Sequence, residues 1–113
     1  MKEFKLDKIK ATGTTAGDVH FPKVKLLLPF NGSNGATSTT DSSNSNNSVT
    51  FVGTAQISTA QSKFGSSSML FDGDSDYLTV TNSSFSTFNA SGATFTIEFW
   101  VYFNSISGQQ DFV

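Results

Sequence analysis

The chain has 113 residues, a formal net charge of −2 and no cysteine. This length accommodates one domain, the small net charge gives no general attraction to nucleic acid or membranes, and disulfide bonds are excluded. Only 14% of the residues are charged and twelve are Phe, whereas about 25% charged residues is usual. Aromatic side chains fit the pleated surface of a sheet, and Ser, Thr and Asn replace the missing charges. The composition therefore favours an all-β, extracellular or particle-bound protein over a cytosolic enzyme.

Residues 1–23 are predicted to form a basic N-terminal arm. Residues 1–25 hold six lysines against three acids, giving +3, whereas residues 26–113 hold one lysine against six acids, giving −5. The first ten residues lack the continuous apolar core of a secretory signal, and no stretch approaches the roughly 20 apolar residues of a membrane span. The arm is either a solvated tail or an anchor on an acidic partner surface. As an anchor, it would dock through Lys2, Phe4, Lys5, Leu6, Lys8 and Ile9.

The segment after the arm begins the predicted domain, residues 24–113. Alternation over 24–30 predicts a first strand, placed at a sheet edge because Pro29 lacks a backbone N–H. One face would carry Val24, Leu26, Leu28 and Phe30, and the other Lys25, Leu27 and Pro29. Residues 31–50 contain fifteen Ser, Thr or Asn, a composition that by itself predicts disorder. Residues 48–52 then predict another strand, with Val49 and Phe51 on one face and Val52 on the other.

Three further strands are predicted in the second half of the chain. Residues 68–71 and 76–81 flank a turn at 72–75, which predicts a hairpin. Residues 94–103 show the strongest alternation and predict the clearest strand. One face of it would carry Phe95, Ile97, Phe99, Val101 and Phe103, and the other Thr96, Glu98, Trp100 and Tyr102. Residues 109–113 begin what should be one more strand.

Four motifs occur in a characteristic order. They are the run from Ala55 to Gly65, Ser68-Met-Leu-Phe-Asp-Gly73, Asp76-Tyr-Leu-Thr-Val80 and Phe95-Thr-Ile-Glu-Phe-Trp-Val101. From about residue 24 onward the chain resembles the laminin-G-like, concanavalin-A-like domains of bacteriophage virion proteins and secreted bacterial proteins. The resemblance implies an antiparallel β-sandwich of the concanavalin-like jelly-roll type, of which residues 24–113 supply the amino-terminal half. It therefore implies an incomplete sandwich that is either a fragment or is completed by other chains.

Catalytic chemistry is not predicted. Retaining glycoside hydrolysis needs two carboxylates about 5.5 Å apart, but Glu98 has only Thr96 and Trp100 as neighbours on its strand face. The lone His20 lies in the arm, away from any predicted nucleophile. We therefore expect no enzyme activity and no catalytic residue.

A metal site is not predicted either. Asp72, Asp74 and Asp76 match the start of an EF-hand loop, which then requires Gly and Glu at its sixth and twelfth positions. Tyr77 and Ser83 stand there instead, so a turn is the favoured interpretation and no cofactor is expected. Weak calcium binding stays open as an alternative, because some domains of the resembled family hold calcium at loop rims. The family's usual Phe-Asp-Gly is Phe30-Asn-Gly here; Asn keeps the turn chemistry but loses the charge, which argues against a metal ligand at this place.

The best candidate ligand surface is formed by Glu98, Trp100 and Tyr102, because sugars stack on aromatic faces and a carboxylate accepts their hydroxyl protons. The alternative is that Trp100 packs into the sandwich with Tyr102 at its rim.

The resemblance implies a non-enzymatic phage virion protein, in the virion or extracellular. Its arm would dock on the particle, and its sandwich would be exposed for decoration, packing or weak glycan adhesion. Partners would be other virion proteins or further copies of the chain, without nucleic acid or membrane. The alternative function is a carbohydrate-binding module of a secreted bacterial protein.

Overall fold

The computed structural model describes residues 18–81 and 94–108. In chain order they form a 3-10 turn, Phe21–Lys23, and four strands: β1 Ser48–Val52, β2 Gln56–Ser58, β3 Ser68–Leu70 and β4 Tyr77–Thr81. β1 pairs with β4 and β2 with β3, both antiparallel. The described ranges contain no α-helix, and accordingly none long and apolar enough to cross a membrane. The all-β class is thus confirmed for the described residues, while the sandwich stays a prediction.

The β1–β4 sheet separates an apolar face from a polar one. Val49 lies opposite Val80 and Phe51 opposite Leu78, and all four are half-buried. Of the alternate positions, Val52 is half-buried and the others, including Thr50 and its partner Thr79, are exposed. Since successive side chains of a strand point to opposite faces, one face of this sheet is apolar. The predicted strand 48–52 and its sidedness are confirmed.

The predicted hairpin between residues 68–71 and 76–81 is wrong. Both segments are strands, but β3 pairs with β2 and β4 pairs with β1. The connection between them is fastened instead to the β1–β2 connection: Asp76 Oδ1 accepts the Thr54 N–H at 2.7 Å, and Thr54 Oγ1 donates to Asp72 Oδ2 at 2.6 Å. These side-chain bonds hold the two connections together while their flanking strands enter different sheets.

Residues 24–30 show the predicted alternation without forming a strand. Val24, Leu26, Leu28 and Phe30 are half-buried, whereas the residues between them are exposed. The backbone of this segment bonds mainly to side chains of a distant loop, as when the Leu27 N–H donates to Asp41 Oδ1 at 2.9 Å. The sidedness is therefore confirmed and the strand is wrong, because side chains take the place of a neighbouring strand.

The strand predicted at 94–103 is also wrong, since residues 94–108 contain no strand and are all exposed. Alternation predicts on which side each residue would lie, but it does not by itself determine the backbone pairing that defines a strand. The sequence-based predictions for the arm through residue 17, including its docking residues, and for residues 109–113 lie outside the described residues.

The apolar core of the described residues is small. Ala55 and Ile57 are the buried apolar residues there. Both backbone groups of Ile57 are hydrogen-bonded to the segment 35–36: its N–H donates to the Ala36 carbonyl and its carbonyl accepts the Gly35 N–H, both at 2.8 Å. Buried polar residues are more numerous and surround the segment 24–32.

Candidate functional site

A wide open cleft dominates the surface of the described residues. It is lined by the segment 23–31, by parts of 58–80 that include β3 and β4, and by residues 94–105. Its apolar lining includes Leu26, Leu28, Phe30, Met69, Leu78 and Val80. These side chains are only half-buried. Contiguous exposed apolar surface of this kind is a general feature of binding surfaces.

One wall of the cleft, residues 24–30, is positioned by the buried carboxylate of Asp41, which is only 3% exposed. Its Oδ1 accepts the N–H groups of Leu27 and Ser43, both at 2.9 Å. Its Oδ2 accepts the Asn47 N–H and the Ser43 hydroxyl, both at 2.8 Å. Burial would raise the pKa of Asp41, but these donors outweigh it and hold the pKa well below its usual range. A charged carboxylate therefore substitutes for a strand as the partner of this wall.

Asn47 and Ser43 extend the same attachment to Lys25. Asn47 Nδ2 donates to the Lys25 carbonyl at 2.7 Å and to Asp41 Oδ2. Ser43 Oγ also approaches the Lys25 carbonyl, at 3.3 Å. We refer to Asp41, Ser43 and Asn47 as the polar pin. The sequence analysis missed it, although Asp-x-Ser is a turn signal in which the carboxylate binds the backbone two residues on.

The end of the wall is fixed by Ser67, which is buried. Its hydroxyl donates to the Phe30 carbonyl at 2.9 Å and accepts the Gly32 N–H at 3.0 Å. Phe30 itself has a φ of 54°, a left-handed conformation that is rare for a bulky residue. The two bonds to one hydroxyl hold this strained position, so Ser67 determines how the wall ends.

The acidic turn between β3 and β4 forms one rim of the cleft. Asp72 and Asp76 share the hydroxyl of Thr54, and Asp76 Oδ2 accepts the Asp72 N–H at 3.0 Å. The Thr54 hydroxyl, followed by the Asp74 N–H, lowers the pKa of Asp72. Within the described residues no group of three or more acidic or imidazole side chains is arranged to hold a metal ion. The carboxylates act as acceptors that fasten the turn.

The aromatic residues of the candidate ligand surface are at the surface of the described structure. Trp100 is 70% and Tyr102 is 68% exposed, and Glu98 is exposed as well. Trp100 meets Phe64 edge-on, with ring centroids 6.1 Å apart, and Lys63 Nζ lies 4.5 Å from the Trp100 ring centroid. The sequence analysis did not anticipate Lys63 and Phe64, which belong to the motif that ends at Gly65. We call Lys63, Phe64 and Trp100 the aromatic platform.

Comparison with known proteins found no matching family model, no matching curated protein and no matching solved structure.

Proposed function

We propose that the chain is a non-enzymatic structural protein of a phage virion, whose β domain works by contact with other protein chains. The observation that carries the proposal is the open cleft, where large apolar side chains remain half-buried or exposed. Fully burying one such side chain stabilises a complex by about 1.5–3 kcal/mol, so several together supply the driving force for assembly. The polar pin and Ser67 supply the rigidity, because they fix one wall before any partner arrives.

The virion assignment draws its support from the ordered sequence motifs and from the basic arm. The arm would dock on an acidic neighbour in the particle through Lys2, Phe4, Lys5, Leu6, Lys8 and Ile9. Basic side chains would speed its encounter and apolar ones would provide the contact area. The finer fold proposal is a concanavalin-like sandwich whose second layer comes from the residues that cover the cleft.

The test is the protein content of purified particles. Particles released by cells that carry this sequence would be banded by density, and their proteins quantified by mass spectrometry. The chain should be present at many copies per particle and resist a high-salt wash less well than the major shell protein. The same density fraction from non-producing cells is the control. Recovery of the chain only outside the particles would refute the proposal.

The aromatic platform favours a second candidate function, glycan binding. Trp100 presents most of its indole to solvent, and Lys63 stands beside it with an ammonium group that can donate to sugar oxygens. Such a site would be weak alone and would gain strength from many copies. Aromatic rings and one or two polar groups are the usual elements of a sugar-binding surface.

Titration of the full chain with an oligosaccharide library tests this second function. Binding should be lost in Trp100→Ala and partly retained in Trp100→Phe, which keeps an aromatic face. Tyr77→Ala removes an exposed aromatic side chain outside the platform and should leave binding unchanged. Equal losses in Trp100→Ala and Tyr77→Ala, or no binding by the unaltered chain, would exclude the platform as a sugar site.

A further inference from the structure

The two ends of the β1–β4 sheet carry opposite charges along the open cleft. Lys25 is attached through its carbonyl to Asn47, which directly precedes the first residue of β1. Asp76 directly precedes the first residue of β4, which pairs with the last residue of β1. The ladder between these two positions has five residue pairs, so its first and last residues lie about 14 Å apart at roughly 3.4 Å per residue.

Both charged groups belong to the cleft lining. Lys23 and Lys25 are exposed and line it near one end, which we call the basic end. Asp72 and Asp76 line it at the acidic turn, which we call the acidic end. Lys63, a third lysine of the lining, lies against the Trp100 ring. Half-buried apolar side chains such as Leu26 and Leu78 line the cleft along with these charged groups.

We propose that two copies of this chain associate through their open clefts, antiparallel and related by a two-fold axis. In a two-fold interface each surface is its own partner, so the basic end of one copy meets the acidic end of the other, twice. A parallel arrangement would instead bring like charges together, which disfavours it. The apolar linings then cover each other and form a two-layered β structure. This inference names the partner that the proposed function leaves open.

The charge pattern favours a second copy over the basic arm as the occupant. The cleft lining holds lysines as well as aspartates, so a segment with four lysines in its first ten residues would meet repulsion at the basic end. A second copy, turned end for end, meets opposite charge at both ends. If the arm or an unrelated protein occupied the cleft instead, mixing variants with reversed charge at opposite ends would not recover dimers.

The first test uses charge reversal in the full chain, with analytical ultracentrifugation over the micromolar range. The unaltered chain should form dimers. Lys25→Glu and Asp74→Lys should each weaken dimerisation by about tenfold at low salt, because each converts two attractive contacts per dimer into repulsive ones. Asp74 lies within the acidic turn, and among the described bonds its carboxylate accepts none, so the change spares the Asp72–Thr54 bond. An equimolar mixture of both variants should recover dimers, since the mixed pair restores both contacts.

Thr79→Lys is the matched control. Thr79 is exposed on the polar face of the same sheet, so its replacement adds charge without touching the cleft and should leave dimerisation unchanged. A chain that stays monomeric throughout, or a mixture that recovers no dimer, would overturn the proposal. Neither result would contradict the virion proposal, because that proposal is tested by the protein content of particles. Conversely, absence of the chain from particles would not contradict the dimer.

The second test is independent of charge and exploits the absence of cysteine. The double variant Lys25→Cys/Asp74→Cys places one thiol at Lys25 of the cleft lining and one in the acidic turn, between the lining residues Gly73 and Ser75, and mild oxidation should join two copies through a 25–74 link. The single variants Lys25→Cys and Asp74→Cys should link far more slowly, because an antiparallel pair keeps identical ends apart. Equal cross-linking of single and double variants would overturn the two-fold arrangement.

Discussion

Two regions of the molecule are buried or exposed contrary to what their compositions predict: the loop at residues 41–47 and the segment at residues 94–103. The loop is made almost entirely of Asp, Ser and Asn, yet three of its side chains are buried and bonded to a distant part of the chain. The segment alternates aromatic and β-branched residues, yet all of it is exposed. Within the described residues, burial therefore follows the polar hydrogen bonds of the loop and not the apolar alternation of the segment.

The largest expected effect tests whether the polar pin determines that order. Asp41→Ala leaves three N–H groups without their acceptor, the buried ones of Ser43 and Asn47 and the part-buried one of Leu27. Each orphaned donor costs about 1–3 kcal/mol, so we expect the free energy of unfolding to fall by about 3 kcal/mol or more, measured by urea titration. Ser42→Ala is the control, because this neighbouring side chain is exposed. Similar small losses in both variants would contradict the role of the pin.

The pin was the part of the site that sequence reasoning could least anticipate. Low apolar content predicts disorder because such a segment buries too little apolar area, and this argument omits a carboxylate that collects donors from three separate residues. By contrast, the sidedness of β1 and of residues 24–30 followed from alternation, since one face is buried wherever a sheet covers it. Strand pairing failed at Asp72 and Asp76, because the Thr54 contact that separates β3 from β4 is not local in sequence.

The pH dependence of stability gives the next largest effect. Asp41 has a pKa well below its usual value of 3.8 in the folded chain, so folding favours its charged form. Its contribution is therefore complete above about pH 4 and is lost as the pH falls through the lower, folded-state value. The urea midpoint of the unaltered chain should drop steadily below pH 4, and that of Asp41→Asn should drop less. If the urea midpoints of the two proteins fell in parallel with pH, the charge of Asp41 would contribute nothing to stability.

A pair of glycines separates packing around the wall from backbone conformation alone. Gly65 and Gly73 have φ values of 70° and 88°, so alanine is strained at both by about 1–2 kcal/mol. A Cβ at Gly65 would also overlap Asn31 Oδ1, whereas one at Gly73 would meet nothing within 4 Å. Gly65→Ala should therefore be less stable than Gly73→Ala by about 1 kcal/mol in urea titrations, allowing for partial relaxation. If adding Asn31→Gly brought the stability of Gly65→Ala up to that of Gly73→Ala, the extra loss would come from the contact with Asn31. Equal losses of stability in the two glycine variants would contradict that contact's role.

The smallest effect on stability is expected at Trp100, in the exposed segment at residues 94–103. The side chain is 70% exposed, and its contacts within the described residues include one aromatic edge and one ammonium group. An exposed cation–π contact contributes about 0.5–1 kcal/mol, so Trp100→Ala should lower the unfolding free energy by no more than about 1 kcal/mol. Lys63→Met, which keeps the apolar stem and removes the charge, should account for about half of that loss. A loss as large as that of Asp41→Ala would mean that the segment at 94–103 contributes to order as strongly as the polar pin, and the contrast between the two regions would fail.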